Sequence, residues 1–268
     1  VADIADVREG QLVRAKVLSK TPVWLNVALG PRVRGRVHLS DVWDWDRVGT
    51  GHPFEGIAVG QELDAAVLGV GTRDLSSSLA ITGSKGVDDT GITAARVVEL
   101  TLRPSQVAPG TSGSNSESVR KYPQKVTDLH VGQVVVGYVQ QVTPDGLWFS
   151  VARYVRGRMF VLEASDDVET LRRFAELYRV GQALRLAITS VDAERNHVNG
   201  SAKLCAGAPA DATDVDVPAD RFPEGRVVPG RVCKLVPGRG ALVEIAQHMY
   251  GHVILPNFDD RFRADPLE

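Results

Sequence analysis

A glycine-marked repeat restricts this chain more than any other feature. Gly10-Gln11, Gly132-Gln133 and Gly225-Arg226 each precede a Val-rich run. A second glycine follows 25 residues later at Gly35 and Gly157, and 26 residues later at Gly251. A further Val-Gly-Gln comes at Val59-Gly60-Gln61 and Val180-Gly181-Gln182, another 25 and 24 residues on. Marks that recur at matching offsets mean a small supersecondary unit used more than once.

The clearest copy runs from Gly132 to Lys203. Its segments Val134–Val139, Leu147–Val151, Val155–Val161, Ala183–Ile188 and His197–Lys203 are short and rich in Val and Leu. Turn residues such as Thr143-Pro144-Asp145-Gly146 separate them, as expected of strands. Between the third and fourth, Ser165 is placed to cap a helix. There Leu171, Phe174, Ala175 and Tyr178 form an i, i+3, i+4, i+7 stripe, with Arg172, Arg173 and Glu176 on the wet side. Three strands, a helix and two strands is the order of a five-stranded OB-type Greek-key barrel. The expected fold is therefore all-β, with such barrels in tandem and a short helix between strands three and four.

The copies divide the chain. Residues 1–105 form a first barrel, with an insertion at 71–95, rich in Gly, Ser, Thr and Asp, between its last two strands. Residues 106–124 read as a flexible linker. A second barrel spans 125–204, and 205–223 is an acidic linker. Residues 224–268 hold three candidate strands of an incomplete third barrel, which would leave open edges. The chain opens on Val1, and we read it as a piece of a longer protein.

Arg34-Gly35-Arg36-Val37-His38-Leu39-Ser40 is similar to the third strand of the S1-type RNA-binding domain. That family's pattern has a Gly-x-Val opening, an aromatic-bearing second strand, a Gly-x-Val-His-x-Ser third strand and a late Val-Gly-Gln. With Gly69–Asp74, Glu99–Ser105 and the closing Asp-Pro-Leu-Glu, nearly the whole chain resembles late repeats of the large nucleolar ribosomal-RNA-processing proteins. Those carry a dozen such domains and a helical-repeat tail. The resemblance implies a segment that holds precursor ribosomal RNA during assembly of both subunits, in the nucleolus, beside pre-ribosomal assembly factors. It implies no catalysis, no cofactor and no small-molecule substrate.

Bulk properties agree. The formal net charge is -2, so attraction to a polyanion must come from local patches and stacking. Cys205 and Cys233 lack metal-ligand spacing and give no disulfide framework. No apolar run approaches a membrane span. Neither a phosphate-loop glycine motif nor His-Glu-x-x-His nor Gly-x-Ser-x-Gly occurs.

Unpaired RNA is commonly held by stacking on exposed rings beside cations that track phosphates. Carried over from the family pattern, the first repeat offers Trp24, His38 and Arg96, with Arg34 and Arg36 around Gly35. The second offers Trp148, Phe160 and His197, with Arg156 and Arg158 around Gly157. Arg156, Arg158 and Phe160 share one face at period two. In the third repeat Leu242 and Ile254 stand where aromatics are expected, although Arg239 and His252 remain. Alternation leaves open whether Trp24 and Trp148 face outward or into the core. Trp43-Asp44-Trp45-Asp46, with Asp41, favours packing or protein contact, because carboxylates repel phosphate. Two rival roles stay open: a scaffold that contacts assembly factors, and an accessory segment of an exoribonuclease or translation factor.

Overall fold

The computed structural model describes residues 4–44, 51–74, 94–108, 123 and 125–258. The chain divides into two compact units, 1–122 and 123–268. Trp45, Asp46, most of the 71–95 insertion and most of the 106–124 linker lie outside the described residues.

The first unit holds a closed barrel of β1 (Leu12–Lys20), β2 (Trp24–Ala28), β3 (Arg34–His38), β4 (Glu62–Asp74) and β5 (Ala94–Thr101), in the order β1-β2-β3-β5-β4. The second unit repeats this with β6 (Val134–Thr143), β7 (Gly146–Ala152), β8 (Val155–Phe160), β9 (Ala183–Asp192) and β10 (His197–Ser201). In each barrel the third and fifth strands are parallel and the other neighbours antiparallel. The all-β expectation of tandem five-stranded OB-type barrels is met.

The Gly-Gln marks are turn devices. Gly10, Gly60, Gly132 and Gly181 have φ between 77° and 89°, a left-handed region that glycine enters freely. Each following glutamine turns its side-chain carbonyl back to accept from the backbone N–H three residues earlier. Arg8, Ala58, His130 and Arg179 donate at 2.9–3.1 Å.

The second glycine of the repeat has another task, set by the barrel interior. Gly157 faces the ring of Phe149, which is fully buried, and a Cβ there would stand 2.3 Å from Phe149 Cζ. Gly137 and Gly200 crowd the same ring from two other strands, with virtual Cβ distances of 2.8 and 3.0 Å. Strand pairing sets Gly35 beside Val98 and Gly157 beside Val198, so positions 100 and 200 correspond. By the same logic Val27 corresponds to Phe149, since each pairs with a third-strand glycine. The first barrel thus fills its centre with Val27 and Leu100, and the second with Phe149 and Gly200. The large residue has changed strands while the volume is kept.

After β8, Ser165 does not cap the helix. It accepts from Asp167 N, and Asp167 caps α1 (Val168–Arg172) by accepting from Thr170 N at 2.9 Å. The helix breaks at Arg173 and resumes as α2 (Phe174–Leu177). Phe174 is buried and meets Tyr178, while Ala175 is exposed, so the apolar stripe is narrower than expected. Arg172, Arg173 and Glu176 are on the exposed side.

The stretch 205–223 lies along the second barrel. Val134 N donates to Thr213 O at 2.7 Å and Val215 N to Gly132 O at 2.8 Å. Leu204 and Val215 pack on Val134, Ala187 and Cys205. Arg185 bonds Pro209 O, and His130 meets Asp214 at 2.7 Å. Arg221 then donates to both oxygens of Glu163 at 2.8 and 2.7 Å. After this strap, β11 (Arg231–Val236), β12 (Gly240–Ala246) and β13 (Met249–Ile254) form a three-stranded sheet.

The buried carboxylate after the third strand is handled differently in the two barrels. In the first, Asp41 pairs at 3.0 Å with Arg103 of the same barrel, both buried. In the second, Glu163 holds the same place: Thr101 and Ser201 hydroxyls donate to the carbonyls of Asp41 and Glu163 respectively. Lys203, the counterpart of Arg103, instead faces Asp166 at 3.5 Å, and the strap supplies Arg221.

Two outcomes are expected. Gly157→Ala should overpack the Phe149 cage, cost about 1–3 kcal/mol and lower the unfolding midpoint of the second unit by roughly 5 °C or more, read by calorimetry. The Asp214 carboxyl is held below its ordinary 3.8, first by the His130 hydrogen bond and then by Thr213. A depressed carboxylate stabilises above its unfolded value, and that contribution is lost as pH falls through the folded one. Hydrogen-exchange protection of Val134 N–H and Val215 N–H, corrected for intrinsic rates, should persist above pH 3.8 and decay below it.

Candidate nucleic-acid interface

On the second barrel, period-two alternation turns Trp148, Arg156 and Arg158 outward while Leu147, Phe149, Gly157 and Met159 turn inward. Trp148 pairs with Arg158, and Arg158 with Asn199 of β10. The Trp148 ring is 38% exposed and meets His197 edge-on, with centroids 5.5 Å apart. The Arg158 guanidinium lies 5.9 Å from the centre of the Trp148 ring. His197 Nε2 stands 3.3 Å from Asn199 Oδ1, and Asn199 Nδ2 donates to Ser190 Oγ at 2.8 Å. This polar row seats the imidazole beside the indole. Among the described residues neither Arg156 nor Arg158 forms an ion pair, so both guanidinium groups can meet an anion. A ring beside one cation, with a second cation two residues along the same face, suits a base with its phosphates.

The first barrel brings Trp24, Arg36 and His38 together but closes them on one another. Trp24 and His38 pair across β2 and β3, with ring centroids 4.7 Å apart. Arg36 lies 4.1 Å over the indole, and its Nε and Nη2 both reach Glu99 Oε1, at 2.7 and 2.6 Å. Glu99 is itself buried. An arginine engaged in this way has little charge left for phosphate. His38 is 1% exposed and its Nδ1 is 2.7 Å from Ser40 Oγ. The expectation that it faces the binding side is thus corrected: the Trp24 ring covers it. Arg34 and Arg96 are exposed, and Arg34 edges a shallow hollow with Ser19, Asn26 and Arg36.

The strand registers also correct the match of Trp24 with Trp148. Trp24 faces His38 where the second barrel has Gly146 facing Phe160 and the third sheet Gly240 facing Ile254. The counterpart of Trp148 is Asn26, opposite Arg36, and in the third sheet Leu242, opposite His252. A slip of two residues keeps the same face, so alternation could not expose it.

Phe160 is not an open platform here. It is 3% exposed, and Arg231 of the third sheet lies 5.6 Å over its ring. Four residues that matter were not assigned to the site from sequence: Glu99, which pairs with Arg36; Asn199 and Ser190, which seat His197; and Arg231. Of these only Asn199 carried a signal, through its two-residue spacing from His197. Asp44 accepts from Ser105 Oγ at 2.6 Å, which ties the chain after β3 to the end of β5 and fits packing rather than RNA contact. Among the described residues no group of His, Cys, Asp and Glu could hold a metal ion, and no helix is long and apolar enough to cross a membrane.

Comparison with known families agrees with these barrels. Residues 1–107 match the family described as "Protein RRP5 homolog-like, OB domain", and residues 129–201 match "RRP5 S1 domain". The rRNA biogenesis protein RRP5 of Arabidopsis thaliana is 24% identical over 97% of this chain and 13% of its own length. The RRP5 homolog of Homo sapiens is 27% identical over 97% of this chain and 13% of its own. A small ribosomal subunit protein bS1 homolog of Bacillus cereus is 29% identical over 51% of this chain and 36% of its own. The chain spans about an eighth of the RRP5 relatives (13%). With an OB-type match on one barrel and an S1-type match on the other, both barrels match domains described for RRP5 proteins.

Proposed function

We propose that this segment binds single-stranded RNA, and that within its parent it holds precursor ribosomal RNA during ribosome assembly in the nucleolus. The observation that carries the reading is the outer face of the second barrel, where exposed Trp148 stands among Arg156, Arg158 and His197. The names of the relatives, which are rRNA biogenesis proteins, support the choice of RNA. The role is one of holding rather than reacting. Each barrel adds a modest contact, and the tether raises the local concentration of the next. Contribution to both subunits belongs to this proposal.

A second reading applies to the first barrel. Its central arginine is spent on Glu99, and buried Asp41 and half-buried Asp44 line the exit of β3. We propose that this barrel serves mainly as a contact for assembly factors and adds to RNA binding only through Arg34 and Arg96.

Three measurements test the division. Trp148→Ala should weaken binding of a short labelled single-stranded RNA by roughly 5- to 100-fold, the range for losing one base stack of about 1–3 kcal/mol. Trp24→Ala should change it by less than about twofold. Arg158→Ala should lower the slope of log K against log salt by about 1. An unchanged affinity for Trp148→Ala, with the fold intact by circular dichroism, would defeat the assignment of this face.

A further inference from the structure

Gly146 leaves a gap that the first barrel does not have. Facing His38, Trp24 spreads its indole over the imidazole. Facing Phe160, Gly146 has nothing to spread, and a Cβ there would stand 2.1 Å from Met159 O, so no larger residue fits this backbone. Phe160 nevertheless is 3% exposed, whereas Ile254, which faces Gly240 in the third sheet, is 45% exposed. The difference comes from the neighbour. Arg231 of β11 lies over the Phe160 ring, and its Nη1 and Nη2 meet Asp145 and Glu244 at 2.5 and 2.6 Å.

An exposed ion pair closes the Arg231 edge of this cover, while Ala241 and Ala246 of β12 are buried. The Arg231 and Asp145 side chains are 40% and 55% exposed. Exposed ion pairs are weak and screened by salt. The strap, by contrast, is anchored by Arg221 on buried Glu163. Between anchor and clamp run residues 222–230, with Gly225 and Gly230 and with Val227 almost fully exposed. The arrangement is that of a latch on a hinge.

We propose that Phe160 is a second, covered stacking platform for a nucleobase, continuous with Trp148, Arg158 and Arg156, and that the third sheet is its cover, closed by Arg231. The proposal rests on the RNA-binding reading of the second barrel. RNA would open the cover by mass action: its phosphates compete with Asp145 for Arg231, and a base takes the place of the guanidinium on the ring. The free energy of one stack is of the same order as that of an exposed clamp, so the two states can exchange. A strand that reached Phe160 would occupy a longer site than one held at Trp148 alone.

The test uses the whole chain and a short labelled single-stranded RNA. Arg231→Ala removes the clamp together with a positive charge, so charge alone predicts weaker binding. The proposal expects tighter binding, by about tenfold for one added stack. It also expects Phe160→Ala to abolish that gain. Arg231→Gln, which keeps a polar side chain, serves if the alanine variant folds poorly. A Phe160→Trp reporter should become more open to acrylamide quenching when Arg231 is replaced. An Arg231 variant that binds equally or more weakly overturns the proposal, and so does a gain that survives Phe160→Ala. Trp148→Ala in the otherwise unchanged chain reads the underlying RNA face separately, so its failure and that of the cover are distinguishable.

Discussion

Everything in these barrels depends on how closely the third strand can approach the centre. Gly35 and Gly157 present a bare backbone to the interior, and the opposite wall moves in to meet it. In the second barrel that wall is the Phe149 ring, in contact range of three glycines; in the first it is Leu100 from the fifth strand and Val27 from the second. A five-stranded barrel has room for one large central group, and the two copies have placed it on different strands. The outer residues inherit their positions from this choice. Arg36 and Arg158 each follow the inward glycine by one residue, so each is directed outward beside the fifth strand.

What the outward arginine can then do is decided by one residue on that neighbouring strand. Beside Arg36 stands Glu99, and beside Arg158 stands Asn199. A buried carboxylate pairs with the first guanidinium, while Arg34 and Arg96 stay exposed. A neutral amide leaves the second guanidinium charged and turns instead to His197 and Ser190. Two barrels of one topology thus carry different outward arginines, one in an ion pair and one in none among the described residues. The domain matches agree with the fold, and the residues on the outer faces differ between the barrels.

Much of the fold was legible because its signals are local. Glycine spacing, Val-rich runs and turn residues gave the strand order of both barrels and the three strands of the last sheet. The site was legible in part. Arg156 and Arg158 face outward at period two, and the structure sets Trp148, whose face alternation had left open, on the outside with them, where it meets His197. Trp24 was matched to the wrong partner because a shift by two residues leaves alternation unchanged, and only hydrogen-bond register resolves it. His38 was expected outside from the family pattern, and Phe160 because it continues the face of Arg156 and Arg158. Their covers come from elsewhere: Trp24 across a strand pair, and Arg231 from 71 residues further along the chain. Burial by a distant segment leaves no local mark. The helix cap moved from Ser165 to Asp167 for a smaller reason, since both are good acceptors and the chain begins to coil two residues later.

The exchange of Arg103 for Arg221 bears on how such modules can be shuffled. Judged by strands, the second barrel closes at Ser201; judged by charge, it closes only at Arg221. The first barrel carries its own counter-ion within the strand-five region and can be copied as a self-contained cassette. The second cannot be transplanted without its acidic tail, because the guanidinium that balances Glu163 is encoded beyond the last strand. Gene duplication that cut at the end of β10 would yield a correct topology with a charge imbalance at its heart, so the viable unit of exchange is the barrel together with its strap.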